Sequence, residues 1–253
     1  MYNNWYLIPI LFFAILIFSF STVGAEETPE EKLIKTYHED ITGDGHKENI
    51  SLYGTFLSNE SEYFRDIWAT ITFPDQTVEK ISYQGGYQPA LTFVDMNQNG
   101  RYDILFTSTT NQENDTQHSR LHSIKRNKKP SEVELPAQDH INGKFQSKFK
   151  IELSISPIDE PKIINIENQA NQYIETGIYD HDGNLLKNIS IHSQPIVKYE
   201  PVFLSTHKGY GLKSYRQING MNKADKIGTI ETLWYYEGSR WVILDSEWME
   251  NSH

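Results

Sequence analysis

Cysteine is absent from all 253 residues, which excludes disulfides, thiol chemistry and a lipid-modified N-terminal cysteine. Basic residues are in short supply: 23 Lys and Arg face 34 Asp and Glu, a net charge of −11. Nucleic-acid binding wants a basic face, so nucleic acid is not an expected partner. The acid excess is compatible with cation binding. Helical stripes are also missing: beyond residue 25, no run of roughly 12 or more residues repeats its apolar positions at helical spacing. No G-x-S-x-G elbow and no G-x-x-x-x-G-K-[ST] phosphate loop occur. His118 and His122 have the i,i+4 spacing of zinc-protease pairs, but Ser119 follows the first instead of Glu. No catalytic residue and no organic cofactor are assigned.

The one long apolar run is WYLIPILFFAILIFSF at residues 5–20. Val23-Gly24-Ala25 then fits the small-residue rule for cleavage before Glu26. Residues 1–25 are read as a signal peptide or, since the run approaches the roughly 20 residues that span a bilayer, as an N-terminal membrane anchor. Either way the body is expected outside the cytoplasm, secreted or anchored at the outer face of the membrane. About 228 residues remain, enough for one large or two small domains.

Glu26 to Glu31 reads as a solvated linker, and 29–37 (PEEKLIKTY) suits the start of a short helix. After that, short runs rich in β-branched and aromatic residues predict strands at 50–57, 67–73, 91–94, 104–107, 149–155, 196–204 and 229–236. Residues 110–131 form a polar excursion with a strand near Leu121–Ile124, and Gly85-Gly86 reads as a turn. The basic run at Lys125–Lys129 reads as a solvated hairpin tip. The expected fold is mainly β, with α+β as the alternative, built of antiparallel hairpins in two units, 26–135 and 136–253.

Two loops carry the chemistry. Counted from Asp95, Asn97 stands at position 3, Asn99 at 5, Gly100 at 6 and Asp103 at 9. Counted from Asp40, Thr42 stands at 3, Asp44 at 5, Gly45 at 6 and Glu48 at 9. The frames align without a gap, and each runs into an apolar strand, which makes them a repeat. Calcium takes six to eight hard oxygen ligands at about 2.3–2.6 Å. Oxygens at 1, 3 and 5 of a tight loop converge, glycine at 6 reverses the chain, and an acid at 9 closes the shell. An EF-hand would need Glu at position 12, where Ser51 and Phe106 stand instead.

HEDITGDGHKENISLYG and FVDMNQNGRYDILF resemble the calcium loops of FG-GAP and VCBS-type repeats of secreted bacterial proteins. The resemblance covers residues 33–107 and implies β-hairpins with a cation site in each loop. It does not imply a complete propeller, because two units cannot close a ring. The expected ligands are Asp40, Thr42, Asp44, Glu48, Asp95, Asn97, Asn99 and Asp103. Asp180-His181-Asp182-Gly183-Asn184 lacks the acid at position 9 and reads as a hairpin turn.

ETLWYYEGSRWVILDSEW predicts a hairpin turning at Glu237-Gly238-Ser239, with Trp234 and Tyr236 opposite Trp241 and Ile243. Core packing is one use of these rings, and a sugar-stacking platform is the other. The expected function is therefore a secreted or surface-anchored, non-enzymatic calcium-binding β protein that serves as an interaction or structural module. Its partner would be a protein or a cell-envelope polysaccharide. A carbohydrate- or wall-binding module is the alternative, and a hydrolase with unidentified acids a further one.

Overall fold

The computed structural model describes residues 30–112, 116–126, 128–137, 141–155 and 160–250. The expected leader, 1–25, lies outside the described residues. Among those residues no helix is long and apolar enough to cross a membrane.

Seven antiparallel strands form the first sheet in chain order: β1 (Glu31–Glu39), β2 (Glu48–Phe56), β3 (Phe64–Thr72), β4 (Val78–Val94), β5 (Asp103–Thr109), β6 (Gln117–Ser123) and β7 (Ser131–Val133). Alternation dictates its inner face. In β3, Ile67, Ala69 and Ile71 point inward and are at most 1% exposed. They pack with Ile50 and Leu52 of β2 and with Ile104 and Phe106 of β5.

The 17-residue β4 belongs to two ladders. Residues 78–86 pair with β3, and 87–94 pair with β5. Between them the register slips at Tyr87/Ala90, and Gln88 takes φ +48°. Gly85-Gly86 therefore lie within a bent strand, which corrects the expectation of a turn there. A Cβ on Gly85 would lie 2.6 Å from the carbonyl oxygens of Phe64 and Arg65. One on Gly86 would lie 2.5 Å from Ser108 Oγ on the other side. The missing side chains let both neighbouring strands close on the bend. The bend curls the sheet far enough for Leu91 N–H to donate to Tyr37 Oη at 3.2 Å.

Two smaller sheets follow. The first has the order β10 (Lys162–Asn165), β9 (Lys150–Ile155), β8 (Ile141–Gln146), and the second runs β11 (His192–Ser205), β12 (Gly209–Asn219), β13 (Lys226–Glu237), β14 (Arg240–Glu250). The short α-helix α1 (Ala170–Glu175), the one α-helix among the described residues, buries only Tyr173. One face of β13 serves two cores. Ile230 packs with Ile151, Ile164 and Tyr173 of the smaller sheet and helix. Trp234 and Leu212 pack with Val94, Met96, Leu105 and Leu121 on the outer face of the first sheet. Between these two cores lies a buried polar row, in which Trp234 Nε1 donates to Ser214 Oγ at 2.8 Å and Ser246 Oγ lies 3.1 Å from Thr232 Oγ1.

The mainly β, antiparallel fold is as expected, without a closed propeller. The short helix expected from 29–37 is overturned where the chain is described: residues 31–37 belong to β1, a largely exposed strand that pairs with β2 at the sheet edge. The C-terminal hairpin has the expected register, Tyr236 opposite Trp241 and Trp234 opposite Ile243. Its turn residues Gly238 and Ser239 both have positive φ, the backbone a tight two-residue hairpin needs.

Candidate metal-binding loops

The first loop joins β1 to β2 and the second joins β4 to β5. Their hydrogen bonds match position by position. At position 1, Asp40 accepts from the N–H groups of Gly43, Asp44 and Gly45, and Asp95 accepts from those of Asn99 and Gly100. At position 5, Asp44 accepts from His46 N–H, and Asn99 from Arg101 N–H, each at 2.9 Å. At position 9, Glu48 accepts from Ile41 N–H and the Thr42 hydroxyl, and Asp103 from Met96 N–H and Asn97 Nδ2. Positions 4 and 6 are left-handed in both loops: Gly43 and Gly45 in one, Gln98 and Gly100 in the other.

Two shared features escaped the motif reading. Position 2 is an apolar plug, with Ile41 and Met96 at most 1% exposed. Position 9 is buried too, with Glu48 at 1% and Asp103 at 2%. The signal was in the sequence, since each loop carries one apolar residue among polar ones. The loops also touch. A Cβ on Gly43 would lie 2.9 Å from Arg101 Cγ and 3.1 Å from the Gly100 carbonyl oxygen.

Burying a carboxylate disfavours its charged form. Glu48 is raised above the ordinary carboxylate range, first by burial and further by the negative charges of Asp44 and Asp40; the bonds from Ile41 and Thr42 oppose this. Burial likewise pushes Asp103 up to about 6, against a hydrogen bond from Ser123 and one from Met96 N–H. Asp40 behaves oppositely. Desolvation, which would raise it, is outweighed by the N–H groups of Gly45, Gly43, Asp44 and Thr42, which hold it below the usual range.

A hard cation fits this donor set in kind. All eight expected ligands offer oxygens, Asn97 Oδ1 is buried with no hydrogen-bond partner, and neither position-9 carboxylate has an ion-pair partner among the described residues. The acids do not already form a cage: no three His, Asp or Glu side chains among the described residues gather as a metal group. Asp44 instead faces outward to Arg126 Nη1 at 3.0 Å. A bound ion would have to draw Asp44 and the position-9 acid toward one point.

The raised pKa of Asp103 gives a pH prediction for the cation-free protein. The folded state holds this proton more tightly than the unfolded chain does. The stabilisation from Asp103 is therefore full below about pH 4 and lost as pH rises through about 6. Urea melts in chelator at pH 5 and pH 7 should differ through this group by about 1.3 kcal/mol. Asp103→Asn should remove that difference.

Other expected sites disperse. Trp234 is buried, Trp248 packs over Gly228 with its Nε1 enclosed and without a hydrogen-bond partner among the described residues, and Trp241 Nε1 donates to the Glu134 carbonyl at 2.8 Å. These three indoles are engaged in packing and docking and do not form an open sugar platform. His118 and His122 lie on strand β6, where an i,i+4 pair is separated by about 13 Å, too far for a shared zinc ion. Asp180 caps a turn, accepting from the N–H groups of Asp182 and Asn184.

The sequence model of one protein family, the YybI C-terminal domain, matches residues 139–249. The chain is also 23% identical over 211 residues to "Uncharacterized protein YybI" of Bacillus subtilis (strain 168), covering 80% of this chain and 79% of that protein. That stretch is too long to lie within 139–253, so it takes in part of the first sheet. No solved structure matches. The resemblance to FG-GAP and VCBS repeats is thereby corrected, because the matching family is a different one and no such repeat is found. What the two loops visibly share is an acid capping loop N–H groups, and glycine where φ is positive.

Proposed function

We infer that this chain is a non-enzymatic calcium-binding β protein acting outside the cytoplasm, in which two loop-bound ions fix the geometry of an interaction surface. One observation carries this reading. Two loops far apart in sequence repeat the same hydrogen-bond pattern, and each buries a position-9 carboxylate that forms no ion pair among the described residues. A divalent cation would relieve that charge. The apolar leader supports the location, secreted or held at the outer face of the membrane. The second loop also bears on the C-terminal sheet, since Val94 and Met96 at its start pack with Leu212 and Trp234. Calcium there would stiffen the joint between the two halves. The surface so fixed would meet a protein or a cell-envelope polysaccharide.

Calcium titrated calorimetrically into the full chain should fill two sites, with dissociation constants in the region of 10⁻⁴–10⁻³ M. Asp40→Ala and Asp95→Ala should each delete one. Magnesium should compete poorly, because it demands a smaller octahedral shell. A titration unchanged by both substitutions would remove calcium from these loops.

A further inference from the structure

A cleft of about 470 Å³ opens where the second loop, the connection after β6, strand β7 and the tip of the β13–β14 hairpin meet. Its walls include Arg101, Lys125, Ser131, Tyr235, Tyr236 and Glu237. In a chain of net charge −11, this cleft sets two cations against one acid. Lys128 and Lys129, exposed on the same connection, add to the positive field.

Both cations are held at the base and open at the tip. Arg101 donates from its backbone N–H and its Nε to Asn99 Oδ1, at 2.9 and 3.4 Å, and its stem is wedged against Gly43. The backbone of Lys125 is fixed by a turn, with Lys128 N–H donating to its carbonyl at 3.1 Å. Neither side chain forms an ion pair among the described residues. A planar guanidinium and a point ammonium from separate elements suit a dianion, which the guanidinium can grip in two directions. The hydroxyl of Ser131 and the partly exposed rings of Tyr235 and Tyr236 suit the hydroxyl-bearing body attached to it. The volume lies within the roughly 300–1,000 Å³ of small-molecule sites.

We propose that this cleft binds a small phosphate-bearing sugar or polyol, with Arg101 and Lys125 holding the phosphate. The charges that would hold the phosphate belong to the protein itself, but the cleft shares Asn97 and Asn99 with the second loop, so its binding is tested without calcium. It also draws on both halves of the chain, so neither half alone would bind.

The test is calorimetric titration of the full chain in calcium-free buffer with glucose 1-phosphate, inorganic phosphate and glucose. Glucose 1-phosphate should bind, phosphate more weakly, and glucose not measurably at the same concentrations. Arg101→Gln and Lys125→Gln should each weaken binding by about tenfold, the worth of a charge-assisted hydrogen bond. Glu237→Gln should strengthen it. Thermal melts of the variants check that the fold is kept, and both cations are partly or fully exposed. Binding of none of the probes, equal binding of glucose and its phosphate, or an affinity for glucose 1-phosphate unchanged from the unsubstituted chain in both the Arg101 and Lys125 variants overturns the proposal.

Discussion

Calcium at about 10 mM is expected to raise the thermal midpoint of this protein by about 3–10 °C for each loop it fills. Ligand linkage sets the size. At 10 to 100 times the dissociation constant, binding to the folded state alone contributes about 1.4–2.7 kcal/mol. In a fold of this size each kcal/mol moves the midpoint by about 2–4 °C. Both position-9 acids are buried beside other acids of their own loop, Glu48 beside Asp40 and Asp44, Asp103 beside Asp95. The ion would offset that repulsion. Asp40→Ala and Asp95→Ala should each halve the calcium-dependent rise. The rise is the readout, since either substitution also strips caps from loop N–H groups and lowers the midpoint in chelator. Magnesium at the same concentration should give little. A midpoint indifferent to calcium would leave both loops as turns that bury acids for some other reason.

The second large effect is steric. Gly85→Ala is expected to cost about 2–4 kcal/mol, because its Cβ would be driven into two backbone oxygens, those of Phe64 and Arg65. Neither oxygen can swing aside as a side-chain tip does. Retreat of β3 would break its pairing with β4 at Phe64–Gly86 and Asp66–Gln84. Gly238→Ala makes the useful contrast. Gly238 lies in the β13–β14 turn, where no atom stands within 4 Å of a Cβ and only its φ of +57° opposes a side chain. That substitution should cost about 1–2 kcal/mol. Urea denaturation of the two variants would separate crowding from backbone strain; equal losses would contradict the close approach at Gly85.

What the sequence disclosed followed local chemistry. Alternation around Ile67, Ala69 and Ile71 gave β3, and paired aromatics about a tight turn gave the register of Trp234 and Tyr236. The two acid-rich frames gave loops that do share one conformation. What it concealed was set by distant contacts. Strand β1 showed no alternation because it is an edge whose side chains mostly face water. Strand β12 was hidden because its buried positions include Ser214 and Asn219; Ser214 is satisfied by the indole N–H of Trp234. The stack of Tyr83 on Phe106 at 3.9 Å and the packing of Met96 with Trp234 join residues with no local signature in common. The family resemblance failed for a related reason: a nine-residue frame specifies a turn and its oxygens, while kinship rests on the chain around it.

The strict chain order of the strands has a consequence for how the molecule assembles. Each strand of the first sheet pairs with the one made just before it, so the sheet can zip up hairpin by hairpin as synthesis proceeds, with little loop-closure entropy to overcome at any step. One surface cannot be finished that way. Val94, Met96, Leu105 and Leu121 receive their cover from Leu212 and Trp234, which emerge much later. A nascent or truncated chain ending before β11 would carry a complete first sheet with a greasy outer face, and that interval is when it is most exposed to aggregation and to chaperones.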